Sequence, residues 1–506
     1  MKKLYYNCNI ITMTNKNADA MIVEDDKIID LGSYDNLKNK INDADKINLN
    51  GKTLMPGFID CHSHLSSVAL SLLQLNLENA RSFIDIINSI KSYIKTENLQ
   101  ESDWIQCIGY DHNLLKEKRH PTRQLLDEHF KNYPIVIQHV TGHFGVMNTK
   151  ALQILNKDDQ FLEGILYEKD FLDLIRLVPL PNIEKIHDAF KKAQKIYASY
   201  GITTAQEGLM VKEILPLYKS LIQNKILYLD VVGYVDIKDK DIIFSNMKDC
   251  DEKYFNHFKL KGYKIILDGS PQAKTAWMRK PYSNENNYGI HNYSHEEVKS
   301  FINEAIKNNK QLLTHANGDK AIDQFLSALE EFIPADVKKI HPVCIHAQFL
   351  QEDQIPIMKK YNVIPSFFID HVYYYADIHI KNLGFERATQ ISPARSCINN
   401  NLIFTFHQDS PVVKPDMLHS IWCSVNRLTK DNVSLDQKIT PYNALKAITI
   451  NASYQYQEPL KGSIKIGNIA DFIILDNNPL TVNPQNIKDI KILATFKNGK
   501  CIYSIN

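Results

Sequence analysis

Eight short apolar runs separated by helix-length stretches restrict this chain's fold more than any other feature. They are 53–60 (TLMPGFID), 201–206 (GITTAQ), 226–235 (ILYLDVVGYV), 263–268 (YKIILD), 311–315 (QLLTH), 342–346 (PVCIH), 362–369 (NVIPSFFI) and 402–407 (LIFTFH). Strands spaced by whole helices cannot be hairpin partners, so they read as parallel strands joined by crossovers. Helices are expected over 184–200, 213–225, 295–309, 319–332, 351–361 and 441–451. Ser294 with Glu297 makes a capping-box pair, and Thr440 precedes a first-turn Pro441. Eight such units predict an α/β fold, a (β/α)8 TIM barrel, with chemistry at the C-terminal ends of its strands.

Two regions fall outside that alternation. Residues from about 65 to 195 are too long for one βα connection and are assigned to a cap inserted after the first barrel strand. Residues 1–52 and 460–506 hold short strands and turn signals without long amphipathic helices. They predict a small β-sandwich built from both termini, with the barrel domain spanning 53–459.

Composition narrows the partners. Lys and Arg number 59 against 58 Asp and Glu, a net charge of +1. No basic arm for nucleic acid or polybasic membrane patch appears. No window approaches the roughly 18 apolar residues of a spanning helix. The apolar stretch at the N-terminus is interrupted by Asn7, Asn9 and Thr12, so it reads as a strand and the protein as cytoplasmic. The eight cysteines form no C-x-x-C pair, which argues against a disulfide framework and a thiolate metal site. A small-molecule substrate read by a pocket is what remains.

The strongest chemical signal is Pro56-Gly57-Phe58-Ile59-Asp60-Cys61-His62-Ser63-His64, directly after an apolar run. Alternate side chains of an extended segment share a face, so His62 and His64 can converge on one cation. His315 and His346 each emerge from later apolar strands and look like a second ligand pair, and Asp409 closes the last strand. Lys264 shares a strand face with Ile266 and Asp268. A bare buried amine is costly. Two readings relieve it: carboxylation to a carbamate that bridges cations, or a side chain that reaches the barrel mouth.

These positions, in this order on these strands, resemble the amidohydrolase superfamily, and within it amidohydrolase family 3, which includes N-substituted formamide deformylases. PGFIDCHSH, TGHFGVMNTKAL, LDGSPQAKTAW, THANGD, IHAQ, FHQDSPV and KGSIKIGNIADFIILDNNP carry the resemblance. It implies a centre of one or two divalent ions, zinc foremost. His62, His64 and Asp409 would hold one ion, His315 and His346 the other, and a carboxylated Lys264 would bridge them. Two departures stand out. Ile345 occupies a position that is acidic in many relatives, and Tyr375-Ala376-Asp377 replaces a Trp-Gly-Asp.

The expected activity is hydrolysis of a non-peptide C–N bond, an N-substituted formamide foremost, by metal-activated hydroxide with Asp409 shuttling the proton. A deaminase or cyclic-amide hydrolase is the alternative within the superfamily, and a metal-free binding protein the alternative outside it. His143 in the cap, and Gln272, Lys274 and Trp277 after the fourth strand, are candidate substrate contacts; Trp277 fits core packing equally well. Phe367, Phe368, Tyr373, Tyr374 and Tyr375 would suit an apolar or ring-bearing substituent. His371 and His407 suit buried supporting roles. A homodimer is a family-level expectation.

Overall fold

The apolar runs become strands in the computed structural model, which describes residues 2–40, 45–140, 144–175, 177–179 and 181–505. Eight form one sheet: β1 (Phe58–Ile59), β2 (Ile202–Met210), β3 (Asp230–Asp236), β4 (Phe258–Ile266), β5 (Gln311–Ala316), β6 (Val343–His346), β7 (Ile364–Phe367) and β8 (Thr405–Phe406). They neighbour one another in chain order, and every pairing is parallel. Just past the C-terminal ends of β1 and β8 the chain closes on itself. Asp409 N donates to His62 O at 3.1 Å, and His64 N donates to Ser410 O at 2.9 Å. The fold is TIM-barrel-like, and its strand ends converge where the chemistry of such folds resides.

The interior is packed rather than open. Ile59, Cys61, Val232, Tyr234, Leu313, Val343, Ile345 and Ile364 form one buried cluster with Ala452 and Tyr456. Ile345 therefore fills barrel core. The helices begin as their sequences dictate: Ser294 and Glu297 make both bonds of a capping box, and Thr440 Oγ1 accepts from Asn443 N.

Two strand boundaries correct the sequence reading. The run 53–60 divides at Gly57: Thr53–Pro56 pairs with Phe472–Leu475 in another sheet, and only Phe58–Ile59 joins the barrel. A Cβ at Gly57 would lie 2.4 Å from Thr203 Cγ2, so the chain presses against β2 where it changes sheets. The run 263–268 begins earlier, at Phe258, because buried Lys259 and Lys261 hide the strand pattern. Their amines are satisfied by Glu458 for Lys259, and by Glu252 and Gln457 for Lys261.

Strands from both ends of the chain make two further sheets. Lys2–Tyr6, Ala20–Glu24, Lys27–Gly32 and Asp45–Asn48 form one; Asn9–Ile10, Thr53–Pro56, Phe472–Leu475, Ile492–Lys497 and Lys500–Ser504 form the other. Tyr5 of the first meets Phe472 and Phe496 of the second edge-on, with ring centroids 5.1 and 5.8 Å apart. Residues 1–66 and 193–506 make one compact unit and 67–192 another. The second has its own five-stranded sheet and the helix Phe83–Thr96, whose Phe83, Ile86, Ile87 and Ile90 share a buried face. Among the described residues no helix is long and apolar enough to cross a membrane. All eight cysteines are free.

Candidate metal centre

Each strand delivers its polar residue where the apolar run stops. His62 and His64 follow β1, Lys264 lies near the end of β4, His315 near the end of β5, His346 ends β6 and Asp409 follows β8. Within this ring His62 Nε2 lies 3.5 Å and His64 Nε2 3.3 Å from Asp409 Oδ1, and His346 Nε2 lies 3.9 Å from Asp409 Oδ2. Lys264 Nζ is 3.3 Å from His62 Nε2. The His315 and His346 rings sit 4.5 Å apart, centroid to centroid. His346 and Asp409 both take left-handed backbone, φ 70° and 54°, a conformation unusual outside glycine that concentrates at functional sites.

Burial sets the electrostatics. It pushes His62 and His346 well below the usual imidazole range and His315 down to about 4, so these rings present lone pairs at neutral pH. It also pulls Lys264 down to about 7. Burial works the same way on His64, but hydrogen bonds to Asp409 and Glu207 outweigh it and raise that ring to about 9. Asp409 is held well below the usual carboxylate range by His64, His62 and His346, against a burial effect of opposite sign. The centre therefore sets largely neutral nitrogen donors beside an ionised carboxylate. Asp409 Oδ1 is buried between His64 Nε2 and His62 Nε2, at 3.3 and 3.5 Å, which suits an atom that shares a ligand sphere with those rings. His62, His346 and Asp409 bring one donor atom each within 4.8 Å of the others. Neutral imidazoles and a carboxylate are a donor set for zinc and related divalent ions, so the residues fit the group.

Supporting residues fix the ligands. His62 Nδ1 donates to Gln206 Oε1 at 2.6 Å, while Gln206 Nε2 donates to Cys61 O at 2.7 Å and Tyr456 OH at 2.8 Å. This orientation leaves the His62 Nε2 lone pair facing the centre. His407 Nε2 lies 3.3 Å from His346 Nδ1, and its own Nδ1 pairs with Ser366 Oγ at 2.9 Å, so a histidine on β8's extension supports His346 where Ile345 cannot. Buried Glu207 accepts from Ser66 N and Tyr218 OH at 2.9 and 2.5 Å.

The fit is tight enough to test. A Cβ at Gly208, on β2, would stand 2.4 Å from His62 Cε1 and 2.7 Å from its Nδ1. Gly208→Ala is expected to displace the ring from Gln206 and weaken metal binding by about 10–100-fold, the usual effect of losing such support. Chelator competition measures this, with circular dichroism unchanged; wild-type affinity would contradict the ring's placement.

The profile of the amidohydrolase family matches residues 45–503. This chain belongs to that family. It is 26% identical to the Arabidopsis thaliana protein LONG AFTER FAR-RED 3, with 96% of this chain and 88% of that protein aligned. It is 21% identical to the N-substituted formamide deformylase of Arthrobacter pascens, over 98% and 97% of the two chains. An uncharacterized metal-dependent hydrolase from Pyrococcus horikoshii OT3 superposes with a TM-score of 0.82 at 25% identity, covering 96% and 99%.

The amidohydrolase's remaining candidates separate. Gln272 is half-buried, its Oε1 enclosed without a hydrogen-bond partner among the described residues. Trp277 packs its indole against His291 at 4.8 Å and lines a cavity of about 530 Å³ with Arg279 and Asp323; none of the six metal candidates lines it. Lys274 pairs with Glu285. His143 lies outside the described residues. Phe368 and Tyr375 flank His371, with centroids 4.0 and 5.2 Å away, whereas Tyr373 packs on His419 and Trp422. Sequence reasoning missed Gln206, Glu207 and the role of Asp268. Asp268 accepts from Asn317, Gly318 and Trp277 backbone amides, yet burial raises it to about 7. The signal was weak: Gln206 and Glu207 sit in the middle of β2, behind Thr203 and Thr204, rather than at the end of an apolar run.

Proposed function

We propose that this amidohydrolase is a zinc-dependent hydrolase of a non-peptide C–N bond in a small amide, an N-substituted formamide foremost. The observation that carries the reading is the convergence of His62, His64, Lys264, His346 and Asp409 on one point, with Asp409 Oδ1 facing both His62 and His64 there. His62, His64 and Asp409 would hold one ion, His315 and His346 a second, and a carboxylated Lys264 would lie between them. A divalent cation there supplies Lewis acidity, which can lower a water's pKa from 15.7 to about 7. Asp409 accepts the proton of the attacking water and returns it to the departing nitrogen, so an amide and water become a carboxylic acid and an amine. Its position among the imidazoles keeps it ionised and ready to accept. Gln272 offers a buried amide oxygen to the substrate N–H, and Phe368 and Tyr375 an aromatic wall for the nitrogen substituent. The Arthrobacter pascens relative's name supports the choice of formamide.

Elemental analysis coupled to a panel of N-alkyl and N-aryl formamides, with acetamides and cyclic amides alongside, tests this reading. Formate and free amine are the expected products; a metal-loaded protein that cleaves no amide in the panel would overturn it, and ammonia release would select the deaminase chemistry instead. Lys264→Ala separates the carbamate from a plain lysine. The variant is expected to lose bound metal and to regain part of it with acetate or propionate, whose carboxylates can occupy the same place. Unchanged metal stoichiometry would remove the carbamate.

A further inference from the structure

A second group of donor atoms lies in the unit formed by residues 67–192. Its parallel strands Ile105–Tyr110 and Ile135–His139 pair with His139 opposite Tyr110, and Val140 N donates to Tyr110 O at 2.9 Å. Both strands thus stop at the same level, placing Asp111 and His112 just past one end and His139 at the other. His112 Nδ1 lies 3.1 Å from His139 Nε2. Asp111 Oδ1 lies 3.8 Å from His112 Nδ1 and 3.7 Å from His139 Nε2.

A tetrahedral cation with bonds of about 2.0–2.2 Å separates neighbouring ligand atoms by roughly 3.3–3.6 Å. The observed triangle of 3.1, 3.7 and 3.8 Å matches one face of that tetrahedron within a few tenths of an ångström. Its members are held in place by their surroundings. Phe144 stacks on His139 at 4.0 Å, and Asn113 N donates to Asp111 Oδ1 at 2.8 Å. His120 packs on His112 at 4.2 Å, with its Nδ1 paired to Tyr110 OH at 3.2 Å. His139 is buried, whereas His112 and Asp111 are 28% and 26% exposed, which gives an ion a route from solvent.

We propose that Asp111, His112 and His139 form a further metal site, separate from the barrel centre, for a borderline divalent ion such as zinc, cobalt or nickel. Two imidazoles and one carboxylate select such ions over the oxygen-seeking magnesium and calcium. An ion there would tie together the ends of two adjacent strands, which predicts a structural rather than catalytic role.

Cobalt(II) titration of the metal-free full-length protein tests the site, reading visible absorption and bound equivalents by elemental analysis after desalting. His112→Ala, at a partly exposed position, is expected to bind one equivalent fewer than wild type. A His62→Ala/His346→Ala variant, stripped of the barrel centre, is expected to keep that equivalent, and Asp111→Asn in that background to weaken it at least tenfold. Equal stoichiometry in wild type and His112→Ala would overturn the site and leave a hydrogen-bonded imidazole pair only. Should His112→Ala misfold by circular dichroism, the barrel variant alone decides: a bound equivalent supports the site, and none overturns it.

Discussion

Asp409→Asn is expected to lower kcat/KM for the amide proposed as substrate by about 10²–10⁴-fold, the contribution of a placed proton-transfer group. This corresponds to roughly 3–5 kcal/mol of transition-state stabilisation. The substitution preserves shape and keeps one oxygen able to ligate, but an amide accepts no proton near neutral pH. Geometry makes the experiment clean. Asp409 is anchored by its backbone, whose N–H donates to His62 O, so the side chain can change while the junction of β1 and β8 stays. Its carboxylate oxygens face His62, His64 and His346 at 3.5, 3.3 and 3.9 Å, so metal content reports ligation while turnover reports proton transfer. Metal retained with activity collapsed is the expected pair of results. Wild-type turnover in the variant would end the proton-transfer role, and parallel loss of metal and activity would reduce Asp409 to a ligand.

The sequence made the barrel and this ring of residues readable for the same reason. A parallel strand buried on both faces is almost wholly apolar, so a histidine or aspartate at its end stands out against its background. Gln206 and Glu207 escaped notice because they lie in the middle of β2, behind two threonines, and neither type is distinctive as a ligand. Lys259 and Lys261 obscured the start of β4, since their satisfaction depends on Glu458, Gln457 and Glu252. Pairing of that kind is a tertiary fact. The break at Gly57 is likewise set by Thr203, nearly 150 residues later in the chain. Trp277 illustrates the converse: its backbone N–H serves Asp268 at the barrel mouth, while its ring packs on His291, and sequence position alone does not distinguish the two.

Lys461→Met is expected to destabilise the unit that contains the barrel by about 3–5 kcal/mol, because it strips one partner from a buried charge network. Lys461 Nζ lies 2.7 Å from Asp230 Oδ2 and 2.6 Å from Glu458 Oε2. Lys497 Nζ lies 2.7 Å from both Asp230 and Asp471, and Lys259 pairs with Glu458. Three amines balance three carboxylates, so deleting Lys461 leaves net negative charge enclosed in protein. Acid pH supplies an internal control. Burial would raise Glu458, but Lys461 and Lys259 hold it down to about 2, from an ordinary 4.5. The same competition, won by Lys461 and Lys497, holds Asp230 well below its usual range. Both carboxylates therefore stabilise the fold above their unfolded values near 4, and that contribution is lost as pH falls through the depressed native values. For Glu458 the linked term is about 3 kcal/mol. In Lys461→Met the carboxylates rise towards their burial-dominated values and take up protons sooner, which relieves the enclosed charge. The gap in urea midpoint between wild type and variant should thus be widest near pH 7 and narrow below about pH 4; a gap independent of pH would contradict the charge explanation. Asp230 and Lys259 both lie near the N-terminal ends of their strands, opposite the metal candidates, so metal affinity at the barrel mouth should remain that of the wild type.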